Sequence, residues 1–383
     1  MIKRPLFALT LLALGATQAL AATPAVEKTP HIEQLQFVDQ AKRKLAVDVA
    51  QMLNDPSFSH LLSEKLQGQR EVMINPLMSE YRQRDPMNIA KAEAADTLQA
   101  MDLATRQHKG ITAYSKGLLQ VRMVAPQGMS TENVDTSNML VAFEPAGDDK
   151  HWKEVEAYDR FGNVHKLDAK VQPSMPVLVA DINGSEDLRA GVAMMNEAFK
   201  SRGWGGLNVR PRAGYVETTK LEKIRLATDE EPWISGKAEV YALVSGINPS
   251  EEKPTIAVVD MPYLDYANTD YAPNQLVLFW SNYRYAAANL QLFEHDDNTN
   301  YQDLVVAIVS GVEKILLAFK PEFAAIATVA GAILQAMPAH WFSNDDDYID
   351  SFYTLEKGKT YTDYKGVGGN AMMTLKPYRL REQ

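Results

Sequence analysis

The 383-residue chain contains no cysteine, which removes disulfides, thiol nucleophiles and thiolate metal sites together. It also lacks the His-Glu-x-x-His motif of zinc proteases, the Gly-x-Ser-x-Gly nucleophile elbow and the phosphate-binding glycine loop. A basic stretch of the kind that binds nucleic acid is absent as well. Nucleic acid is therefore not an expected partner. Catalytic residues that are distant in sequence would leave no such motif, so an enzyme is neither indicated nor excluded.

The N-terminus has the three parts of a cleavable bacterial secretion signal. Lys3 and Arg4 supply positive charge, an apolar run follows from Pro5 to Leu14, and Ala19-Leu20-Ala21 places small residues at a cleavage site. The apolar run is shorter than the ~20 residues needed to span a bilayer. We therefore predict that residues 1–21 are a signal peptide and that the mature protein is periplasmic or secreted.

Negative charge is concentrated in the C-terminal part of the chain. Residues 22–225 contain 26 Lys and Arg against 27 Asp and Glu, whereas residues 226–383 contain 11 against 22. Self-repulsion on this scale lowers stability unless something offsets it. Bound cations are one way to offset it.

The pattern of apolar residues predicts an α+β protein of two domains. Residues 22–225 combine helical spacing, as in 31–67, with short β-rich runs, which indicates a helical and mixed α/β domain. The charged stretch 218–225 is predicted to be the boundary. Residues 226–383 contain longer alternating runs and 21 of the 33 aromatic residues, which favours an antiparallel β-sandwich.

Residues 304–337 do not fit a plain sandwich. They form two apolar helical segments divided by Pro321, and charged residues such as Glu313 and Lys320 interrupt them. One interpretation is a helical hairpin that is inserted between strands and buried against the sheet. The other interpretation is a hairpin that inserts into membranes.

Three acidic clusters flank predicted strands of the C-terminal domain. Crowded carboxylates repel one another, and calcium, which takes six to eight oxygen ligands, reverses that penalty. Because alternate loops of a sandwich gather at one end, the clusters can converge on calcium; the alternative is that they are solvated turns. The predicted metal ligands are Asp229, Glu230, Glu294, Asp296, Asp297, Asp303, Asp345, Asp346 and Asp347. His295 is a less suitable ligand, because hard oxygen sites do not favour imidazole.

Parts of the C-terminal domain resemble C2 domains, which hold calcium between loops of a β-sandwich. Glu294, Asp296 and Asp303 follow an aromatic strand much as the acids of the third C2 loop do, and residues 234–244 resemble the strand after the first loop. This resemblance implies a C2-like calcium-binding sandwich. The Glu at the first position and the inserted helices depart from the C2 pattern.

Four segments resemble an uncharacterised family of secreted bacterial proteins, domain of unknown function 3103 (DUF3103). They are Glu231-Pro-Trp-Ile-Ser-Gly-Lys-Ala-Glu-Val-Tyr241, Val259-Asp-Met-Pro-Tyr-Leu-Asp265, Asp296-Asp-Asn-Thr-Asn-Tyr301 and Asp347-Tyr-Ile-Asp-Ser-Phe-Tyr353. The resemblance implies export and a shared fold, but no activity.

Three functional hypotheses follow. The first is a calcium-stabilised binding or accessory protein, with a membrane surface or an extracellular protein as partner classes left open. The second is a secreted hydrolase with a non-contiguous active site, in which Asp181 would take part because it lies between a predicted strand and a helix predicted to begin at Ser185. The third is a membrane-active protein that uses the 304–337 hairpin.

Overall fold

The structure is a computed structural model and describes residues 31–126, 129, 134–147, 151–205, 214–227, 232–236, 239–248, 253–295, 297–318, 324–336 and 348–381. Helices and antiparallel sheets are both present, so the α+β class predicted from the sequence is confirmed. Up to the end of the first sheet and the helix after it, the elements are α1 (His31–Met52), α2 (Pro56–Leu66), β1 (Glu71–Met73), α3 (Ile74–Gln83), α4 (Ile89–His108), β2 (Leu119–Val124), β3 (Val141–Phe143), β4 (Glu154–Tyr158), β5 (Val164–Asp168), β6 (Val177–Ile182) and α5 (Gly184–Ser201).

The remaining elements form two further sheets with a pair of helices between their strands. They are β7 (Tyr215–Leu226), β8 (Val240–Ile247), β9 (Pro254–Asp260), β10 (Gln275–Phe279), β11 (Ala287–Glu294), α6 (Tyr301–Ala318), α7 (Ala324–Ala336), β12 (Tyr348–Glu356), β13 (Tyr361–Lys365) and β14 (Ala371–Arg381).

Sheet A has the strand order β1-β2-β6-β3-β4-β5, and within it β3 and β6 run parallel. Helix α1 packs across one face of this sheet and contacts β3, β4 and β6. At the end of β6 the chain turns into α5, which begins at Gly184. Its N-cap is Asn183, whose side-chain oxygen accepts a hydrogen bond from the Glu186 backbone N–H at 2.8 Å. The helix therefore starts one residue before the predicted Ser185 and is capped by an amide side chain.

Sheets B and C face each other across one hydrophobic core, as in a β-sandwich. Sheet B has the order β10-β7-β14-β13 and sheet C the order β12-β11-β8-β9. Every residue of β8 is buried. Its alternate residues point to opposite faces: Val240, Ala242 and Val244 pack into the core shared with sheet B, whereas Tyr241 and Leu243 join the core on the other side. Sheet C is thus covered on both faces.

Strand β7 lies where the charge pattern predicts a boundary. It pairs with both β10 and β14, so it is an inner strand of sheet B. Buried residues such as Leu221 and Ile224 alternate with charged residues that are only partly buried, such as Lys220 and Glu222. A strand with one polar face produces this pattern. The first strand of the sandwich therefore begins before residue 226; a division into domains at residue 225 stays a prediction.

Helices α6 and α7 form a hairpin between β11 and β12. Helix α7 packs on β8, β11 and β12, and α6 packs on α7 and α5. Buried residues of the hairpin, including Leu304, Ile308 and Ile333, belong to the same hydrophobic core as α1 and sheet A. None of the helices in the described ranges is long and apolar enough to cross a lipid bilayer. The arrangement agrees with a hairpin buried against the sheet.

Two neighbouring valines of α6 allow a matched test of this burial. Val305 is 2% exposed and Val306 is 49% exposed. Val305→Asp is expected to lower the free energy of unfolding by about 3–5 kcal/mol, because it buries an uncompensated charge. Val306→Asp should change it by less than about 0.5 kcal/mol. Urea unfolding measures both, and equal stability of the two variants would contradict the buried hairpin.

Candidate functional site

The parallel pair of strands in sheet A places two acidic side chains at one end of the sheet. Phe143 of β3 lies opposite Ala180 of β6, so Glu144 and Asp181, the next residues along each strand, are neighbours. Carboxyl ends of adjacent parallel strands are a common position for functional groups. Asp181 is 5% exposed, whereas Glu144 is partly buried.

Asp181 is held in place by hydrogen bonds to both carboxylate oxygens. One oxygen accepts from the Ile182 backbone N–H at 2.8 Å. The other accepts from the guanidinium of Arg122, on the neighbouring strand β2, at 3.1 and 3.2 Å. Arg122 also donates to the backbone carbonyl of Ile234. The carboxylate is thus positioned by the sheet itself.

Two further charged side chains approach these acids from outside the sheet. Lys42 lies on α1 and is 1% exposed. Its Nζ donates to Glu144 Oε2 at 2.9 Å and to Asp297 Oδ2 at 3.0 Å. Asp297 belongs to the segment between β11 and α6, so it comes from the sandwich. A carboxylate of Asp39, on the same helix as Lys42, is 4.0 Å from the ammonium.

Glu144, Asp181 and Asp297 have the arrangement of metal ligands. Each offers a carboxylate oxygen, and these three oxygens lie within 4.8 Å of one another. Oxygens at this separation can contact one cation at the 2.3–2.6 Å distances typical of calcium. We call these residues the three-carboxylate group.

A second buried charge group adjoins the first. Asp187, in the first turn of α5, has one oxygen 2.7 Å from Lys109 Nζ and 2.8 Å from His295 Nε2. Lys109 also donates to the backbone carbonyl of Asp297, which links the two groups. The ring of His295 stacks on Tyr301, with centroids 6.1 Å apart.

Tyr301 is fully buried, and its hydroxyl has no hydrogen-bond partner among the described residues. Burial raises its pKa well above the ordinary value, and the charges of Asp187 and Asp297 contribute. The ring fits because position 191 on α5 is glycine: a Cβ there would lie 2.0 Å from the ring.

The two groups together carry an excess of negative charge. Four carboxylates, those of Glu144, Asp181, Asp187 and Asp297, lie among three cationic side chains, those of Lys42, Lys109 and Arg122.

Burial and the neighbouring charges give the three carboxylates different pKa values. Burial raises the pKa of Glu144 to about 8, and the neighbouring carboxylates add to the effect while Lys42 opposes it. Burial also raises the pKa of Asp181 to about 6, against the charge of Arg122. Burial acts on Asp297 in the same direction, but the surrounding cations, Lys42 first, outweigh it and lower the pKa to about 2.

Comparison with protein families identifies the chain. A family model described as "Protein of unknown function (DUF3103)" matches residues 42–383. The chain belongs to the DUF3103 family. Searches of curated proteins and of solved structures found no similar chain. The resemblance of the four sequence segments is thereby confirmed at the level of the family, and the match includes Lys42 and all of the three-carboxylate group.

The predicted metal ligands of this DUF3103 protein have different placements. Asp297 lies in the three-carboxylate group. Glu294 ends strand β11, and Asp303 is exposed in the first turn of α6; neither belongs to that group. The other predicted ligands, Asp229, Glu230, Asp296, Asp345, Asp346 and Asp347, lie outside the described residues. A convergence of C-terminal loops on calcium stays a prediction.

Two site residues were missed in the sequence, although each leaves a signal. Lys42 occupies a buried stripe of α1 with Val38, Leu45 and Val49, where helical spacing calls for an apolar residue. Glu144 directly follows β3, at the same strand end as Asp181. A charged residue in an apolar stripe requires a buried partner, but the sequence does not indicate which one.

The raised pKa of Glu144 predicts how stability depends on pH in the presence of a chelator. The folded pKa lies above the ordinary 4.5, so the folded state holds this proton more tightly than the unfolded state. That stabilisation is fully present below about pH 4.5 and is lost as the pH rises through about 8. Glu144→Gln, which mimics the protonated acid, should therefore lose less stability than wild type between pH 5 and 8.

Urea unfolding midpoints at pH 5, 6.5 and 8 measure the difference. Asp303→Asn, at an exposed position, serves as the control and should follow the wild-type curve. Parallel curves for wild type and Glu144→Gln would show that Glu144 titrates normally in the folded protein.

Proposed function

We propose that this protein is an exported calcium-binding protein whose cation site is formed by Glu144, Asp181 and Asp297. The observation that carries the proposal is the convergence of these three carboxylate oxygens within 4.8 Å, although their residues lie far apart in sequence. The surplus of carboxylates over Lys and Arg side chains in the two charge groups supports it independently.

The donor set favours calcium over other metals. All three ligands are carboxylate oxygens, the donors that hard cations prefer. Magnesium needs near-ideal octahedral geometry at shorter distances and usually keeps several waters. Zinc favours nitrogen and sulfur ligands, and the nearby imidazole of His295 already faces Asp187.

A cation at this site would link two parts of the fold. Glu144 and Asp181 belong to sheet A, whereas Asp297 follows the last strand before the helical hairpin of the sandwich. Calcium would therefore stabilise the contact between sheet A and the sandwich. We infer an accessory or binding role for the stabilised protein, with an extracellular protein or a membrane surface as the partner classes.

Calcium is expected to raise the melting temperature of wild type by about 1–4 °C relative to chelator, for one site with a Kd near 10⁻⁴–10⁻³ M at millimolar calcium. Asp297→Asn should abolish this increment, and Asp181→Asn should as well. The control is Glu93→Gln, which changes an exposed acid that is not among the predicted metal ligands. Scanning calorimetry with calcium, magnesium and chelator measures the increment. Each variant is compared with itself in chelator, so that a change in its own stability is separated from its response to calcium.

Two results would count against the calcium site. One is an equal calcium increment in wild type and in Asp297→Asn. The other is identical melting of wild type with calcium and with chelator, together with no calcium by elemental analysis. The second result would leave the three-carboxylate group as part of an internal ion-pair network.

Export is the other part of the proposal. It rests on the positive, apolar and small-residue segments of residues 1–21. Protein recovered from outside the cytoplasm is expected to begin at Ala22 and to lack the mass of residues 1–21. Intact-mass spectrometry measures this, and recovery of the full 383-residue chain would contradict cleavage.

One observation favours a hydrolase as a second candidate. Glu144 has a raised pKa and Asp297 a lowered one, and both contact the same ammonium. A protonated and an ionised carboxyl in one site can act as general acid and general base. Turnover of a glycoside, ester or peptide in the presence of chelator would separate this candidate from calcium binding.

A further inference from the structure

Lys42 already contacts two of the three ligands of the proposed cation site. Its ammonium lies 2.9 Å from Glu144 Oε2 and 3.0 Å from Asp297 Oδ2. Calcium would lie 2.3–2.6 Å from its oxygen ligands. An ammonium and a calcium ion that both approach Glu144 and Asp297 would lie close together, and their like charges would repel strongly at such a distance.

The structure also provides another partner for the lysine. Asp39 lies one turn before Lys42 on α1, and its carboxylate is 4.0 Å from the ammonium. The Lys42 side chain is 2% exposed, so the charge has no direct route to solvent and must keep a partner inside the protein. The four-carbon stem of lysine is flexible enough to exchange one carboxylate for a neighbouring one.

We propose that Lys42 is a resident counter-ion that competes with calcium for Glu144 and Asp297, and that calcium binding transfers its ammonium to Asp39. This inference rests on the proposed function, since it concerns the affinity of the same site. In the metal-free protein, Lys42 partly neutralises carboxylates that would otherwise repel one another. In the calcium-bound protein, the ion takes over that role.

The competition has a measurable consequence for affinity. Displacing an ion-paired ammonium opposes calcium binding, so removal of the ammonium should tighten it. Lys42→Gln keeps a polar side chain of similar length without the charge. We expect its calcium Kd to be lower than that of wild type by about tenfold or more. Asp39→Asn removes the group that receives the ammonium and should raise the Kd.

The experiment is a calorimetric titration of the full-length mature protein with calcium chloride alone. The variants are Lys42→Gln and Asp39→Asn, and Lys44→Gln is the matched control. Lys44 lies on the same helix but is exposed and pairs with Asp48 at 2.7 Å. The calcium Kd of Lys44→Gln should therefore equal that of wild type. Thermal melting of each variant with chelator and with calcium accompanies the titration, because Lys42→Gln is expected to melt lower without calcium and to recover when calcium is added.

The outcomes separate this inference from the proposed function. If both proteins bind calcium and Lys42→Gln binds it more tightly, both proposals are supported. If Lys42→Gln binds calcium and wild type does not, the counter-ion role is supported and the calcium function of wild type is overturned. Equal or weaker binding in Lys42→Gln, with wild type binding calcium, overturns the competition and leaves the calcium site intact. Absence of binding in both proteins overturns both proposals. If Lys42→Gln does not fold even with calcium, an unchanged or lower Kd in Asp39→Asn overturns the competition, and a raised Kd supports it.

Discussion

A buried, charged ammonium group is costly unless groups of opposite charge accept its hydrogen bonds, and this requirement at Lys42 joins distant parts of the chain. Its partners Glu144 and Asp297 are 102 and 255 residues away in sequence. The ion pairs therefore form only when α1, sheet A and the segment after β11 have come together. Removing one partner of such a buried pair leaves a charge without compensation, at a cost of about 3–5 kcal/mol. The site is thus also a junction of the fold.

Helix α5 carries the same connection from sheet A to the sandwich. Its N-terminus follows Asp181, its first turn holds Asp187, and Gly191 leaves space for the ring of Tyr301. Asp187 is favoured there because the N-terminal end of a helix has a partial positive charge. The helix also packs on β9 and α6, so sheet C is covered by helices on the face opposite sheet B. Charge pairing and apolar burial consequently support the same arrangement.

Local patterns in the sequence were sufficient for most elements of the fold. Alternating apolar residues predicted β8, β11 and β12, and Pro321 between two apolar runs predicted the hairpin. Strand β7 was missed because the stretch 218–225 is rich in charged residues, which lie on the polar face of the strand. A linker between domains has the same composition. The sequence singled out Asp181 as a candidate residue of a hydrolase and Asp297 as a candidate calcium ligand. Their meeting with Lys42 depends on contacts across more than a hundred residues, and such contacts leave no periodicity in the sequence.

Stability alone is a weak explanation for this group of charges. Replacing a buried ion-pair network by well-packed apolar residues is often neutral or stabilising, and here the acids also outnumber the cations. The folded protein must neutralise the excess with protons, as the raised pKa of Glu144 indicates, or with a bound cation. Perturbed carboxylates of this kind cluster at functional sites. Under the proposed function, the proton, the Lys42 ammonium and calcium all neutralise the same oxygens. Each therefore binds at the expense of the others, so the apparent affinity of the site for calcium depends on the pH and on the Lys42 ammonium.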